Sequence, residues 1–153
     1  MSQVKAIPDA YKGATPYLCV NDAAGAIEFY KKAFGATELQ RMEAPGGKIA
    51  HAELKIGEGI IMLADEFPEM GFVSPQTLGG SPITLYLYFE DVDAVAESAV
   101  AGGAKLLKPV EDQFYGDRSG RLEDPYGHIW GIATHKEDLS EEEVKRRAAA
   151  MFG

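Results

Sequence analysis

Hydrophobic and polar residues follow the same pattern in two successive blocks of the chain. The first block opens with the apolar run TPYLCV, which ends at Asp22. After it, apolar residues recur at helical spacing until Gly35, and Asp and Gly are common helix-capping residues. Alternating segments then predict three strands, at about residues 37–43, 48–56 and 60–65. The first block therefore predicts the order strand, helix and three strands.

The second block repeats this order. The run TLYLYF ends at Asp91, and apolar residues recur at helical spacing until Gly102. A Pro- and Gly-containing turn, DPYG at 124–127, precedes the last predicted strand. The three strands after the helix are predicted at about residues 105–110, 118–123 and 128–134.

The two blocks align at a nearly constant offset. Residues 15–22 align with 84–91 and residues 59–64 align with 128–133, in both cases 69 positions apart. The Gly at each helix end aligns within one residue of the same offset. Several matches in the same order indicate an internal duplication, and thus two βαβββ modules in an α+β fold.

The length of 153 residues suits one domain built from both modules. A capping box, Ser140 with Glu143, begins a predicted C-terminal helix. The connector between the modules contains Phe67, Met70 and Phe72, and is either a lid or a packed crossover loop. The predicted segments of the domain 1–153 are module one at about 11–65, the connector at 66–82, module two at about 83–135 and the helix at about 140–151.

Composition and charge exclude several classes of partner. The formal net charge is −9 with basic residues scattered, so an acidic surface disfavours nucleic acid. No apolar run approaches the roughly 18–20 residues that span a membrane, and the N-terminal sequence lacks a signal-peptide core. The single Cys19 excludes an internal disulfide framework and favours a cytoplasmic location.

Several motifs resemble the vicinal oxygen chelate superfamily, which includes glyoxalase I, bleomycin-resistance proteins and extradiol dioxygenases. The resemblance rests on NDAAGAIEFYKKAFGA, GIIML and DPYGHIW, and it covers about residues 11–135. IAHAEL and DQFYGDRSGRLEDPYGHIWGIATH are most similar to its PhnB-like, glyoxalase/bleomycin-resistance branch. The resemblance implies two βαβββ modules whose curled mixed sheets surround a cleft, and assembly as a homodimer.

The resemblance also locates the metal ligands of metal-using relatives, one on the first and one on the last strand of each module. In this chain those positions hold Thr15, Met62, Thr84 and Gly131. Threonine is a weak neutral donor, methionine suits copper(I), and glycine has no side chain. We therefore expect no metal at this site and no cofactor.

Strand alternation assigns a second set of side chains to the cleft. Tyr17, Tyr86 and Tyr88 point to one side, with Met62 across from them. Each tyrosine hydroxyl needs a polar partner, and an apolar cup with few polar groups is typical of a small-molecule site. The alternative is that these residues fill the core.

The alternating segment at 51–56 places His51 and Glu53 on the cleft side. Partial burial among tyrosines would raise the pKa of Glu53, which would suit it as a general base or as the anchor of a cationic ligand. His51 is its candidate partner, and we name both as candidate catalytic residues. The alternatives are an unorthodox metal site, for which two ligands are too few, and a solvent-facing strand edge.

A predicted loop at the rim supplies three more candidates. Arg118 would bind a carboxylate or phosphate, and Tyr115 would stack on a planar ligand beside Gln113. The alternative is a surface ion pair between Asp117 and Arg118. His128 and His135 are expected to be turn and strand-end residues.

The leading interpretation is a metal-free small-molecule-binding protein of the glyoxalase/bleomycin-resistance type, which sequesters a drug-like or aromatic compound. An alternative is a glyoxalase-like lyase or isomerase that uses Glu53 as its base or an unorthodox metal site. A third is a regulatory protein whose ligand alters a partner contact. The sequence does not choose a substrate, because loop conformations decide the shape of the cavity.

Overall fold

The computed structural model describes residues 3–152, which divide between Gly79 and Gly80 into two compact units. Each unit is built on one four-stranded mixed sheet, and each carries the predicted order of strand, helix and three strands. The predicted α+β fold with two βαβββ modules is confirmed. The prediction that residues 1–153 form a single domain stays a prediction.

The first unit has the strand order β1-β4-β3-β2. Strand β1 runs parallel to β4, and the other neighbours are antiparallel. Its main elements are β1 (Tyr17–Val20), α1 (Ala23–Phe34), β2 (Thr37–Glu43), β3 (Ile49–Ile56) and β4 (Gly59–Asp65). The predicted bounds of the helix and of the three strands after it hold to within one residue, and β1 begins two residues later than the apolar run TPYLCV.

Helix α1 begins and ends where the sequence predicts. The Asp22 carboxylate accepts a hydrogen bond from the Gly25 amide at 3.1 Å, as an N-cap does. At the other end Gly35 has φ of 72°, a left-handed conformation that closes the helix. One face of α1 is buried, with Ile27, Tyr30 and Phe34 at its centre.

The connector between the modules is hydrogen-bonded into the first unit. The backbone amides of Phe67 and Phe72 donate to each other's carbonyls, at 2.7 and 3.2 Å. A single 3-10 turn, Pro68–Met70, lies between them, and the short helix α2 (Pro75–Leu78) follows. The segment therefore has a hydrogen-bonded backbone conformation of its own.

The second unit repeats the topology with the order β5-β8-β7-β6, in which β5 runs parallel to β8. Asp91 caps its first helix as Asp22 caps α1, by accepting from the Ala94 amide at 3.1 Å. Its elements are β5 (Thr84–Tyr88), α3 (Val92–Ala101), β6 (Lys105–Asp112), β7 (Asp117–Glu123), β8 (Ile129–His135) and α4 (Glu141–Phe152).

The duplication is visible in the register of the two sheets. Tyr17 pairs with Met62 in the first unit, and Tyr86 pairs with Gly131 in the second. Both partners have moved by the same 69 positions, so the two parallel ladders are equivalent residue by residue. The repeat inferred from sequence is therefore a repeat of structure.

One face of each sheet carries the buried side chains of the core. In the first unit Leu54 and Leu63 are fully buried, as Trp130 and Ile132 are in the second. Cys19 in β1 is also buried, and this burial raises the pKa of its thiol to about 11. Among the described residues, no helix combines the length and apolar character needed to cross a membrane.

Candidate functional site

A large apolar pocket lies in the first unit. Its volume is about 610 Å³, within the range of roughly 300–1,000 Å³ typical of small-molecule sites. It lies between the sheet and the connector loop, and Tyr17 and Phe72 meet in an edge-to-face contact with ring centroids 5.8 Å apart. The residues that line it are Tyr17, Ala44, Ala50, Ala64, Phe67, Met70 and Phe72.

A chain of hydrogen bonds leads from this pocket along the sheet. The Tyr17 hydroxyl lies 2.7 Å from His51 Nδ1, and His51 Nε2 lies 2.8 Å from Glu53 Oε2. The other oxygen, Glu53 Oε1, accepts from the Tyr11 hydroxyl. Glu53 is only 7% exposed, so its charge is held by these partners rather than by bulk water.

The ionised carboxylate fixes the direction of these bonds. A carboxylate only accepts, so His51 Nε2 carries a hydrogen and donates a hydrogen bond to Glu53. In the neutral ring Nδ1 then accepts from the Tyr17 hydroxyl. The lone pairs of the Tyr17 oxygen remain available to a ligand in the pocket. Burial and the charge of Glu53 raise the pKa of Tyr17, which keeps its hydroxyl protonated at neutral pH.

The predicted rise in the pKa of Glu53 is wrong. Hydrogen bonds from His51 and Tyr11 lower the pKa of this carboxyl, and they outweigh the effect of burial. The sequence argument counted desolvation but not the donors. Tyr11 in particular lies ahead of the first strand, where alternation gives no information about its partner.

A smaller, polar pocket of about 350 Å³ lies in the second unit. The Tyr115 hydroxyl and Ser119 Oγ are 3.2 Å apart at its wall. A methyl group built on Gly131 would lie 2.5 and 2.7 Å from two ring carbons of Tyr86, so the ring covers this glycine. The lining residues are Thr84, Tyr86, Lys108, Glu111, Gln113, Tyr115, Ser119, Gly120, Arg121 and Gly131.

Residues 13–132 match the profile of the Glyoxalase/Bleomycin resistance protein/Dioxygenase superfamily. The chain belongs to this superfamily. An uncharacterized protein of Mycobacterium bovis is 42% identical over 134 residues, which cover 86% of this chain and 88% of that protein. The superfamily assignment agrees with the vicinal oxygen chelate resemblance of the sequence.

Two solved structures of superfamily-like fold are similar to the chain. TioX from Micromonospora sp. ML1 is 25% identical with a TM-score of 0.63, covering 84% of this chain and all (100%) of TioX. The fosfomycin resistance protein FosX from Listeria monocytogenes, solved with Mn(II) and sulfate, is 22% identical with a TM-score of 0.64. That comparison covers 88% of this chain and 96% of FosX, and at this identity it shows the fold alone.

The superfamily's metal-ligand positions do not fit a metal ion in this chain. Gly131 offers no donor, and the Tyr86 ring fills the space in which a side chain there would begin. Met62 carries a thioether, while Thr15 and Thr84 carry neutral hydroxyls, which are weak ligands for zinc, nickel or iron(II). Within residues 3–152, no three His, Cys, Asp or Glu side chains are grouped so as to hold a metal ion.

Arg118 lines neither the apolar pocket of the first unit nor the polar pocket of the second. Its guanidinium binds both oxygens of Asp93, at 2.8 and 3.0 Å, and Asp112 at 3.2 Å. Arg118 pairs across the sheet with Thr134, which bonds to the start of α3, so its side chain lies on the helix face. The alternative, an ion pair with Asp117, is not among the contacts of Arg118, whose guanidinium is occupied by Asp93 and Asp112.

Asp117 binds two residues on the face of the sheet that lies opposite to Arg118. It accepts from the Tyr88 hydroxyl at 2.7 Å and lies 2.7 Å from His135 Nδ1, while His135 Nε2 lies 2.8 Å from Asp138. Tyr88, predicted to bind a ligand, is therefore held by Asp117, which raises its pKa to about 12. His135 ends β8, as the sequence predicts, and it is also part of a hydrogen-bonded cluster.

The other predicted residues fall into two groups. Tyr17, His51 and Glu53 come together in the first unit, and Met62 lies between Tyr17 and Glu53 in the register. Tyr86, Gln113 and Tyr115 line the polar pocket of the second. Sequence reasoning missed Tyr11, Ser119, Lys108 and Arg121. Strand alternation carries a signal for Ser119 and Arg121, which share one face of β7, but none for Tyr11, which precedes the first strand.

His135 is expected to titrate above the ordinary histidine pKa of about 6.5. Hydrogen bonds to Asp117 and then Asp138 raise its pKa, because both carboxylates favour the imidazolium. The stabilisation from this charge is full below the ordinary pKa and is lost as the pH rises through the raised value. NMR titration of the ring should show the pKa falling in Asp117→Asn, and falling less in the exposed control Asp138→Asn. Titration at or below the ordinary value in the wild-type protein would contradict the cluster.

Proposed function

We propose that this superfamily member binds a small, largely aromatic or apolar molecule without using a metal ion, and so sequesters a drug-like compound. The observation that carries the proposal is the pocket of about 610 Å³ in the first unit, lined by three aromatic rings and Met70. Aromatic walls bury much apolar ligand surface and also favour ring contacts. Methionine adapts to irregular shapes, which suits a site for bulky compounds.

One polar group gives this pocket its specificity. Tyr17 is a lining residue, and its hydroxyl donates a hydrogen bond to His51. The phenol oxygen therefore accepts a hydrogen bond from a ligand N–H or O–H. Glu53 stands behind His51 and supports this polarity, so we expect neutral or cationic ligands to be preferred over anionic ones in this pocket.

The experiment is a thermal-shift screen of aromatic compounds, neutral and cationic, followed by titration. Ligand at a hundredfold excess over its dissociation constant should stabilise the protein by about 2.7 kcal/mol. Ala50→Phe fills the pocket and should abolish the shift, whereas Ala149→Phe on the exposed surface of α4 should leave it intact. Tyr17→Phe should weaken only those ligands that carry a donor, by about tenfold.

Three results would overturn this proposal. They are the absence of any stabilising compound, equal binding to the Ala50→Phe variant, and a shift that disappears after dialysis against a chelator. Close to one equivalent of zinc, nickel or iron in the purified protein would count against the metal-free part. The superfamily resemblance also leads us to propose a homodimer, which light scattering at micromolar concentration tests.

Catalysis by Glu53 as a general base has less support. Both of its oxygens accept hydrogen bonds, and its pKa is lowered, so it is ionised but a weak base. The variant Glu53→Gln separates the two functions. Loss of a lyase or isomerase turnover in a folded Glu53→Gln protein would favour the enzyme, whereas retained ligand binding alone favours sequestration.

A further inference from the structure

The polar pocket of the second unit is lined by a row of four residues, one from each strand of the sheet. Tyr86 pairs with Gly131, Gly131 with Arg121, and Arg121 with Lys108. Partners in register on neighbouring strands share a face, so Arg121 and Lys108 project to the same side as the Tyr86 ring. All four residues line the pocket of about 350 Å³.

The equivalent row in the first unit has a different charge. There Tyr17 pairs with Met62, Met62 with Glu53, and Glu53 with Gln40. The duplicated positions that hold an acid and an amide in one unit thus hold two cations in the other. The proposed ligand of the first unit does not account for these cations.

Arg121 and Lys108 have no compensating partner within residues 3–152. Both are exposed, and neither makes an ion pair or a side-chain hydrogen bond there. Arg118 on the same strand differs, because Asp93 and Asp112 bind it. Like charges placed directly opposite each other on neighbouring strands destabilise a sheet. An anion between them removes this repulsion.

Hydroxyl groups complete the polar lining. Thr84, Tyr86, Tyr115 and Ser119 all contribute to the pocket, and hydroxyls donate readily to the oxygens of an anion. Glu111 also lines the pocket, and with Lys108 and Arg121 it leaves one net positive charge. A guanidinium fork and an ammonium group are the side chains that recognise carboxylate and phosphate oxygens.

We propose that the second unit binds a small organic anion, with its carboxylate or phosphate group between Lys108 and Arg121 and its carbon part against Tyr86 and Tyr115. The Tyr86 ring lies over Gly131 and so forms a flat apolar wall beside the cations. The volume fits a compound with one ring. This site goes beyond the function proposed for the first unit and does not depend on it.

NMR titration of the isotope-labelled full chain tests the proposal. Benzoate, phenyl phosphate, inorganic phosphate and neutral benzamide are added separately at constant ionic strength. Benzoate or phenyl phosphate should shift amides of β6, β7 and β8 around the pocket, and the tighter of the two identifies the preferred oxyanion. Benzamide should bind at least about tenfold more weakly, because it lacks the charge.

Matched variants locate the binding. Arg121→Gln and Lys108→Gln should each weaken the preferred anion by about tenfold, because each removes one charge-assisted contact. Lys145→Gln removes the same charge from exposed α4 and should change nothing. All three replace exposed side chains, and circular dichroism checks that the fold is retained.

Four outcomes would overturn the site: no shifts at millimolar anion, equal binding of benzamide, equal weakening by Lys145→Gln, or inorganic phosphate binding as tightly as phenyl phosphate. The last would remove the role of the tyrosine rings. Ala50→Phe should leave anion binding unchanged, and Arg121→Gln should leave the aromatic ligands of the first unit unchanged. The two proposals therefore fail separately.

Discussion

Replacing Asp124 by alanine should lower the free energy of unfolding by about 3–5 kcal/mol, because three donors lose their acceptor. This carboxylate is only 2% exposed. It accepts from the backbone amides of Tyr126 and His128, at 2.8 and 3.0 Å, and from the indole Nε1 of Trp130 at 2.8 Å. It thus ties the DPYG turn to the buried side chain that follows it.

Urea unfolding followed by circular dichroism measures this loss. Asp124→Asn should have an intermediate effect, because the amide keeps one acceptor oxygen but brings a donor that faces another donor. Asp138→Ala, fully exposed at the surface, is the control and should change stability by less than about 0.5 kcal/mol. A loss below about 1 kcal/mol in Asp124→Ala would show that water replaces the carboxylate.

Replacing Asp65 by alanine should cost about 2–4 kcal/mol. One oxygen of this buried carboxylate accepts from the Ala23 amide at 2.8 Å and the other from the Ile49 amide at 2.7 Å. The side chain thus joins the start of α1 to the start of β3. Without it, two buried amides have no acceptor.

The duplication supplies the matched control for Asp65. Thr134 is the equivalent residue, and its hydroxyl accepts from the Val92 amide at 2.9 Å and donates to the Phe89 carbonyl at 2.8 Å. Thr134→Val keeps the shape and strands only one amide, so it should cost about 1–2 kcal/mol in the same urea experiment. A larger loss than in Asp65→Ala would contradict the assignment of these roles.

The sequence predicts the fold well because its signals are local. Asp22 and Asp91 cap helices within three residues of themselves, and the side-chain alternation of a strand is read from the strand alone. The duplication then checks one half against the other. These local features predict the order of the elements along the chain and most of their boundaries.

The site was harder to predict, because its chemistry depends on partners distant in sequence. Tyr11 reaches Glu53 from 42 residues away and, with His51, reverses the expected direction of its pKa shift. Arg118 lies at the boundary between the predicted rim loop and the strand predicted from about residue 118, where the direction of its side chain is left open. In the structure it lies within β7 and points to the face opposite to Asp117 and Ser119. Parity along β7 would have placed it correctly.

The cations of the second unit were missed for a related reason. The pairing of β6 with β7 shifts between Leu106 and Lys108, and again between Lys108 and Glu111. Such irregularities change which face a residue occupies, and periodicity alone does not reveal them. Only the register shows that Lys108 stands opposite Arg121.

The buried thiol of Cys19 and the indole of Trp130 can each report on the unfolding of one unit. Each is the single residue of its type, and they lie in different units. The Cys19 thiol is buried and its pKa is raised, so we expect its alkylation to require opening of the first unit. The fluorescence of Trp130 follows the second unit. The wild-type protein, without any engineered label, can therefore reveal whether the two units unfold together or one before the other.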